Sequence, residues 1–449
     1  MSGALLRPAR RWPRPRMVAV VALAVLVVVL ALFAIGASRQ SREQNRVTAA
    51  DQGSDLYYAR QLQEPQKTVL NRNRMPLEPY LVSLVVERGA TRARVHEVGK
   101  QVGFAVALVS LVILAAWMWR RSGPVPAVTA VAVVALTVYQ FKAPYLQPDL
   151  LYYGLFTVAF FGLAEVLRRP RPMVGACAGF AVGLAPLPKS GALVLLALFV
   201  LVAVVTVLWR LRRDRAFAAR LAGSTAAVLL LFVCVVAPYA TNSKNTYGSY
   251  AYNVNTTYYA WYDSWDEVVA GTLSHGDFEG PADLPADQIP SPSRYARTHS
   301  VGDVLARFRQ GADTTRQVVF DSYGYAAFCA VLVAIALLLA LLQPRRVLRW
   351  ARTELPALCF GAMTFVAYTL ISFWWVPISD GNRFVLCLFL PLVIVSVEAI
   401  RRLGRPIVIP IGPRAVDAAT LSFVALTAGV LVFGTWAAFG PAGEIFGGT

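Results

Sequence analysis

Residues 17–37 read MVAVVALAVLVVVLALFAIGA, and runs of this kind, without a charged side chain, decide the fold. A helix of roughly 20 apolar residues spans the hydrocarbon core of a bilayer, because it satisfies its backbone polar groups internally. Five arginines precede this run, as in a signal peptide, but the run is too long and lacks a convincing cleavage site. We therefore expect an uncleaved first transmembrane span.

Ten further apolar runs follow, and together they predict an all-α polytopic membrane protein with about 11 transmembrane helices. The composition agrees, since 57% of the residues are hydrophobic, only 15% are charged and the mean hydropathy is +0.53. The shortest run is interrupted by Gly179, Gly183 and Pro186. The predicted spans are residues 17–37, 102–119, 124–141, 150–167, 173–187, 190–209, 221–240, 323–342, 356–375, 384–400 and 417–439.

Basic residues are distributed unevenly over the connections between these spans. The chain has 43 Lys and Arg against 25 Asp and Glu, a net charge of +18. Alternate connections hold 23 of the 43 basic residues, although the intervening connections are together more than twice as long. We therefore expect the basic set and the N-terminus to face the cytoplasm, with the C-terminus and the large loops 38–101 and 241–322 outside. The basic set consists of residues 1–16, 120–123, 168–172, 210–220, 343–353 and 401–416.

Several classes of protein and site are excluded by the composition and spacing. Membrane topology accounts for the positive charge, so no nucleic-acid partner is expected. The five cysteines lie within or beside apolar runs and make no plausible disulfide framework. The three histidines lack zinc-binding spacing, and no Gly-rich phosphate loop supports ATP-driven chemistry. Functional residues are therefore sought among the polar residues of the external connections.

The first external loop carries two acids near its start, Asp51 and Asp55, followed by Tyr58. Residues four apart share one face of a helix, so the two carboxylates would be close enough to raise each other's pKa or to divide the roles of base and orienting group. The alternative is a helix N-terminus with Asp51 as its cap.

The same loop continues with Arg72 and Arg74 beside a proline-stiffened turn, then Glu78 and the apolar residues of 81–86. This pattern predicts a short helix on the membrane surface with a pair of guanidinium groups at its start. Arginine forks suit phosphate oxygens, so Arg72, Arg74 and Glu78 are candidate substrate-binding residues. The alternative is that the arginines bind lipid headgroups.

Three later connections each contribute one charged candidate. Asp149 stands immediately before a span, where it either caps that helix or positions a substrate or cation. Lys189 lies in the tight turn of Pro188-Lys189-Ser190, where it either binds phosphate or extends to the external interface. Arg383 stands at the mouth of the tenth predicted span and is a third candidate phosphate ligand.

The external segment 241–322 begins with a stretch dense in aromatic, amide and acidic side chains, of which Tyr258 and Trp261 are the candidate substrate-binding rings. Aromatic faces beside amides and carboxylates suit a sugar, because sugar faces stack on rings while hydroxyls need hydrogen-bond partners. An interfacial aromatic belt is the alternative.

These motifs, in this order, resemble the membrane glycosyltransferases of the GT-C fold, especially the family that includes the protein O-mannosyltransferases and the lipid A aminoarabinose transferases. The resemblance covers roughly residues 1–240, while the C-terminal part matches in architecture alone. One position departs from the family, which often has two adjacent acids, because Gln52 follows Asp51 here. The matching residues are Asp51, Asp55 and Tyr58, then Asn71 to Leu77, then Gln147-Pro148-Asp149, and Pro188-Lys189-Ser190.

The resemblance implies a sugar donor carried on a polyprenyl phosphate, an acceptor hydroxyl on a glycan, lipid or protein, and inversion at the anomeric carbon. Asp51 would be the general base, with Asp55 and Asp149 as orienting acids. Arg74, Lys189 and Arg383 would bind the phosphate. The resemblance makes no cofactor certain and leaves a divalent cation open, with Asp51 and Asp149 as its ligands if there is one.

The same resemblance implies an active site on the external face of the plasma membrane. The expected organisation is an N-terminal transmembrane module over 1–240 with its catalytic loop at 38–101, the external region 241–322, and C-terminal helices over 323–449.

Two other functions are compatible with a polytopic protein of this composition. A transporter or flippase of a lipid-linked sugar usually has ionisable groups at the bilayer midplane and paired repeats, whereas this chain has its acids at the external rim and no repeat. A noncatalytic protein of envelope assembly would fit the aromatic segment, but it would not explain the order of acids and arginines.

Overall fold

The computed structural model describes residues 15–43, 52–64, 70–277, 281–379, 384–411 and 414–440, which form a bundle of helices. The predicted all-α class is confirmed, because the described strands are one short hairpin pairing Val408–Ile411 (β1) with Arg414–Asp417 (β2). Asp51 and Arg383 lie outside the described residues, so the roles predicted for them stay predictions.

A helix covers most or all of each predicted span. The first ten are α1 (Pro15–Glu43), α2 (Gln52–Gln61), α3 (Leu77–Val85), α4 (Arg92–Ser122), α5 (Pro124–Val134), α6 (Gln140–Lys142), α7 (Asp149–Arg168), α8 (Pro172–Leu184), α9 (Leu193–Leu211) and α10 (Arg215–Tyr247). The others are α11 (Val254–Thr257), α12 (Trp265–Ala270), α13 (Pro292–Thr298), α14 (Val301–Asp321), α15 (Tyr325–Leu342), α16 (Pro344–Trp375), α17 (Phe389–Gly404) and α18 (Ala418–Phe439).

Within the described part of the chain, nine helices are long and apolar enough to cross a membrane. They correspond to nine of the eleven predicted spans, with α5 and α6 joined into one span by a π-helical turn at Ala135–Tyr139. The two remaining predicted spans fall on shorter helices, α8 and α17.

The helix α5 lies at the centre of the bundle, in contact with α1, α4, α17 and α18. Its residues from Ala130 to Val134 are fully buried, since each has 0% of its surface exposed. A helix that is apolar on every side is expected to be enclosed by other helices, and the small Ala and Val side chains here allow close approach.

The glycines of α8 are contact points with α10. A Cβ added at Gly175 would lie 2.4 Å from the carbonyl oxygen of Ser224, and one added at Gly179 would lie 2.5 Å from that of Val228. Small residues spaced by four form one face of a helix and let two backbones approach closely in a membrane. The glycines that interrupt the apolar run in the sequence therefore serve helix packing.

Several of the described basic connections lie near one another in the bundle. Ser122, between α4 and α5, donates a hydrogen bond of 3.0 Å to Glu398 of α17. Arg168 at the end of α7 forms an ion pair with Glu354 in the first half of α16, with an Nη2 to Oε1 distance of 2.8 Å. These contacts join connections that the sequence assigns to the same side, and the candidate site lies at the opposite end.

Candidate functional site

The helix α2 is fixed to the second external connection through Gln52, which is fully buried. The side-chain oxygen of Gln52 accepts a hydrogen bond of 2.8 Å from the backbone N–H of Leu146 and lies 3.3 Å from Nε2 of His96. Asp55, one turn further along α2, is 1% exposed. The Gln52 contacts therefore hold the Asp55 carboxylate inside the protein, beside the second connection.

The segment before α3 is shaped by an Asx turn at Asn71. Its side-chain oxygen accepts hydrogen bonds of 3.1 Å from the backbone N–H groups of Asn73 and Arg74. This turn brings Arg74 to the Asp55 carboxylate, with 3.9 Å between Nε and Oδ1. The structure thus brings together two residues that the sequence singled out in separate motifs.

The start of α3 is tied to the turn that contains Lys189, because the N–H of Leu77 donates a hydrogen bond of 3.0 Å to the carbonyl oxygen of Leu187. The ammonium group of Lys189 lies 3.2 Å from Oδ1 of Asp149. The other oxygen of Asp149 pairs with Lys142 at 3.0 Å. Asp149 is therefore held between two cations, of which Lys142 was not predicted.

Aromatic rings complete the surroundings of Lys189. Its Nζ lies 5.8 Å from the centroid of Tyr152 and 5.4 Å from that of Phe384. Cation–π contacts and a carboxylate partner stabilise an ammonium group away from bulk water.

Glu78 is the third carboxylate of the site, and it is 2% exposed. Burial raises the pKa of Glu78 well above its ordinary value, the charges of Asp55 and Asp149 raise it further, and Arg74 acts in the opposite direction. We call Asp55, Glu78, Asp149, Arg74, Lys142 and Lys189 the charged cluster. Among the residues that the structure describes, no group of three His, Cys, Asp or Glu side chains is arranged to hold a metal ion.

Tyr58 lies on α2 one turn after Asp55 and is fully buried. Burial raises the pKa of its phenol, a hydrogen bond with the backbone of Asn71 opposes this, and the nearby Tyr239 and Tyr247 add to it. Tyr58 is therefore a neutral phenol at physiological pH, and its contact with a substrate stays a prediction.

Arg72 pairs with the external segment. Its guanidinium group forms an ion pair with Asp277 and lies 3.3 Å from the hydroxyl of Tyr259. Arg72 is 5% exposed and Asp277 is fully buried. This pair fastens the first external loop to the segment above it, and no signal in the sequence indicated Asp277 as the partner.

The two predicted sugar-binding rings are packed into the external segment. Tyr258 is 6% exposed and belongs to an apolar cluster with Ile378. Trp261 packs against Tyr295 and Trp374, at centroid distances of 6.3 and 6.0 Å. Their described contacts stabilise the segment, and their contact with a sugar stays a prediction.

A second polar network, which the sequence did not predict, joins α14 to the first half of the external segment. The Asp263 carboxylate accepts hydrogen bonds of 2.8 Å from the hydroxyl of Tyr295 and from Arg307, and it lies 2.8 Å from Nε2 of His299. The guanidinium carbon of Arg307 lies 4.0 Å from the ring centroid of Trp374. Arg307 also donates a hydrogen bond of 3.0 Å to the carbonyl oxygen of Trp374, so this network attaches the external segment to the end of α16.

An apolar groove with a volume of about 940 Å³ runs along the bundle, and α3, α4, α7, α8 and α17 line it. The lining residues on α4 extend from Val102 to Arg121, which at about 1.5 Å per residue is close to the thickness of a hydrocarbon core. Leu81 and Leu84 of α3 form its upper end, and they follow Glu78 by one and two helical turns. The groove and the charged cluster therefore share α3 as a common wall.

No protein-family model and no curated protein sequence matches this chain. Two solved structures from Archaeoglobus fulgidus are similar to it. The oligosaccharyltransferase in its apo form gives a TM-score of 0.52 at 13% identity, over 93% of this chain and 56% of that one. The oligosaccharyltransferase AglB, in complex with an inhibitory peptide and a dolichol-phosphate, gives a TM-score of 0.51 at 12% identity, over 93% and 55%.

The chain thus spans about half the length of the solved structures that it matches. Sequence identity at this level shows a shared fold and nothing finer. The chain is therefore a polytopic membrane protein whose fold resembles that of the GT-C oligosaccharyltransferases.

Proposed function

We propose that this protein is a membrane glycosyltransferase that moves a sugar from a polyprenyl-phosphate donor to an acceptor hydroxyl. The observation that carries the proposal is that α3 contributes Glu78 to the charged cluster and Leu81 and Leu84 to one end of the apolar groove. A ligand with an anionic headgroup and a long apolar chain has the chemistry to occupy both. The dolichol-phosphate bound by the similar archaeal oligosaccharyltransferase belongs to this class of ligand.

The polyprenyl chain would lie in the groove, with its phosphate beside α3. Burial of apolar surface contributes roughly 25 cal/mol per Å², so a chain of this kind would draw most of its affinity from the groove. The cations Arg74, Lys142 and Lys189 would fix the position of the headgroup.

The proposed reaction forms a bond from the acceptor oxygen to the anomeric carbon and breaks the bond from that carbon to the phosphate oxygen. The acceptor proton passes to a carboxylate, and polyprenyl phosphate departs. The departing group is a phosphate monoester anion, which leaves without general-acid assistance, so one base and several cations suffice. Attack opposite to the leaving group would invert the anomeric configuration.

In this mechanism Asp51 is the proposed base, and Asp55 and Asp149 orient the reacting groups. Arg74, Lys189 and Arg383 are the proposed phosphate ligands, to which we add Lys142 because it shares Asp149 with Lys189. Carboxylates and cations alternate in the charged cluster, which supports a site where a proton is removed and a negative charge is released close together.

We also propose that residues 1–240 form the catalytic module and that 241–322 cover the site, ahead of the C-terminal helices over 323–449. The contacts of Arg72 with Asp277 support this arrangement, because they join the first external loop to the covering segment. The clustering of basic connections at the other end of the bundle supports an active site on the external face of the plasma membrane.

The proposal is tested with purified protein in nanodiscs, supplied with radiolabelled polyprenyl-phosphate hexoses and pentoses and with a cell-envelope fraction as acceptor. Asp51→Asn is expected to abolish transfer while polyprenyl-phosphate binding persists. Normal transfer by this variant, together with loss in Asp55→Asn or Asp149→Asn, would show that the base is assigned wrongly.

Full transfer by all three Asn variants would contradict the transferase mechanism. Movement of a fluorescent lipid-linked sugar across a liposome membrane, without any transfer, would favour the transporter alternative instead.

A further inference from the structure

Glu78 has no ion pair within 4 Å among the residues that the structure describes, whereas Asp55 lies 3.9 Å from Arg74 and Asp149 pairs with two lysines. Both carboxyl oxygens of Glu78 are buried, and neither has a hydrogen-bond partner among the residues that the structure describes. The backbone that carries Glu78 is held in place, because Glu78 belongs to the first turn of α3, whose start is tied to Leu187. An ionised carboxylate in this position would lose its hydration without any hydrogen bond to replace it, at a cost of several kcal/mol.

The charges that act on Glu78 lie on α2, on α7 and in the segment before α3. Asp55 of α2 and Asp149 of α7 disfavour a third negative charge, while Arg74 favours it, and burial has the largest effect on its pKa. Lys142 and Lys189 are engaged with Asp149. Burial and the two carboxylates together outweigh the single arginine, so the neutral acid is the favoured form.

The net charge of the cluster depends on this one side chain. With Glu78 ionised, three carboxylates balance the three cations Arg74, Lys142 and Lys189. With Glu78 neutral, two carboxylates remain against three cations, and the cluster has one positive charge in excess. An excess positive charge favours an anionic headgroup, whereas a balanced cluster does not.

We propose that Glu78 is a positioning residue that works as a neutral carboxylic acid, shaping the headgroup pocket while leaving the cluster positive for the phosphate of a polyprenyl-phosphate ligand. This inference rests on the proposed function, because it assigns the same site an electrostatic requirement for its donor. It also predicts that ionisation of Glu78 and binding of the phosphate oppose each other.

The experiment measures binding of polyprenyl monophosphate to the full-length protein in nanodiscs at a series of pH values from mildly acidic to alkaline. As the pH rises, Glu78 in the wild type ionises and the affinity is expected to fall by up to about tenfold per pH unit, the slope for one linked proton. Glu78→Gln has nearly the same shape and cannot ionise. Glu78→Gln is therefore expected to lack the fall in affinity that ionisation of Glu78 causes. At the highest pH values it should bind polyprenyl monophosphate more tightly than the wild type.

Titration of the lysines and of the phosphate affects the wild type and Glu78→Gln equally, so the difference between the two curves isolates Glu78. Glu78→Asp is the second variant, since it keeps an acid with a shorter reach and is expected to retain a pH-dependent decline. A variant is compared only if it elutes as a single species with the wild-type melting temperature, and Glu78→Asp provides the comparison if Glu78→Gln does not fold.

Weaker binding by Glu78→Gln than by the wild type at every pH would overturn the inference, because it would show that the ionised carboxylate is needed. Parallel curves for the two proteins would overturn it as well. Saturable binding by the wild type in either case would leave the proposed function standing. If the wild type binds no polyprenyl monophosphate at any pH, both the proposed function and the inference are wrong.

Discussion

At Lys189, the proposed role in phosphate binding is easily distinguished from a purely structural role. Its ammonium group pairs with Asp149 and faces the rings of Tyr152 and Phe384. Charge-assisted hydrogen bonds contribute about 1.5 to 3 kcal/mol, so Lys189→Ala is expected to weaken polyprenyl-phosphate binding by roughly 10- to 100-fold. The affinity for the uncharged polyprenol should change little, because polyprenol has no phosphate group for the lysine to bind.

Lys244→Ala is the matched control for this measurement, since Lys244 is exposed and donates to the carbonyl oxygen of Gly248. It should leave the binding of both lipids as in the wild type. Equal losses of polyprenyl phosphate and polyprenol in Lys189→Ala would contradict a phosphate-binding role.

The buried pair of Arg72 and Asp277 leads to a prediction about stability. Removal of one partner leaves an uncompensated buried charge, which typically destabilises a protein by about 3 to 5 kcal/mol. Asp277→Asn is therefore expected to loosen the external segment and to speed its cleavage by a protease added to nanodiscs. Arg309→Ala, at an exposed position on α14, is the control. Cleavage of Asp277→Asn at the wild-type rate would show that the pair does not hold the segment.

At the residue scale, the sequence predicted Asp55, Arg74, Glu78, Asp149 and Lys189, and the structure brings them together. Asp55, Arg74 and Glu78 were visible as charged motifs of the first external loop, and Asp149 and Lys189 were visible as charges beside apolar runs. Lys142 was not predicted, although it lies only seven residues before Asp149, because a lysine near the end of a span is common on its own. Asp277 could not be predicted, since its partner is distant in the chain and only the fold joins them.

At the scale of helices, the contact between α8 and α10 depends on the absence of side chains at Gly175, Gly179 and Gly183. A Cβ at Gly179 would lie 2.5 Å from a backbone oxygen of α10, which cannot move aside as a side chain would. Gly179→Leu is therefore expected to destabilise the protein by about 1 to 3 kcal/mol or more, measured as a lower melting temperature in detergent.

Gly223→Ala is the control for this substitution, because Gly223 also lies on α10 and a Cβ added there would have open space around it. Among the described residues, no atom beyond its own stretch of helix would lie within 4 Å of that Cβ. The substitution is expected to be neutral or slightly stabilising, since alanine is the better helix former by about 1 kcal/mol. An unchanged melting temperature in Gly179→Leu would contradict close packing of the two helices.

The network around Asp263 predicts a response of the external segment to acid. Burial raises the pKa of Asp263, but hydrogen bonds from Tyr295 and His299 and the charge of Arg307 outweigh it, so the pKa is lower in the folded protein. The stabilisation by this carboxylate is therefore present above its unfolded value of about 3.9 and is lost as the pH falls through the folded value. Tryptophan fluorescence of the segment is expected to change in that range.

Asp263→Asn should lack this acid transition, because the amide does not titrate. The same transition in the variant and the wild type would assign it to other groups.

The helices themselves were largely predictable, because each apolar run carries its own signal of length and composition. The shorter α8 and α17 were placed correctly along the chain, but their reduced length was not visible in the sequence. The close contact of α8 with α10 depends on which helices become neighbours, and the sequence does not contain that information in any one element. The folds of the external loops were equally hidden, since their helices are short and are held by side-chain contacts.

At the scale of the whole molecule, alternation of basic and non-basic connections predicted which loops meet. Two contacts agree with this, because Arg168 pairs with Glu354 directly after another basic connection, while Leu77 of the first external loop bonds to Leu187 at the end of the fifth predicted span. The order of charged motifs along the chain was a better guide than any single motif, because a membrane fold places every second connection at the same surface. The groove could not be predicted, since five helices contribute to it.

Binding of a polyprenyl-phosphate ligand by the charged cluster and the groove is tested most directly by an experimental structure of the full-length protein in nanodiscs with that ligand bound. If the charged cluster and the groove bind this ligand, density for the phosphate will contact Arg74 and Lys189. Density for the prenyl chain will follow the groove past Leu81 and Leu84. Phosphate density elsewhere, with the charged cluster closed to the lipid, would contradict binding at this site.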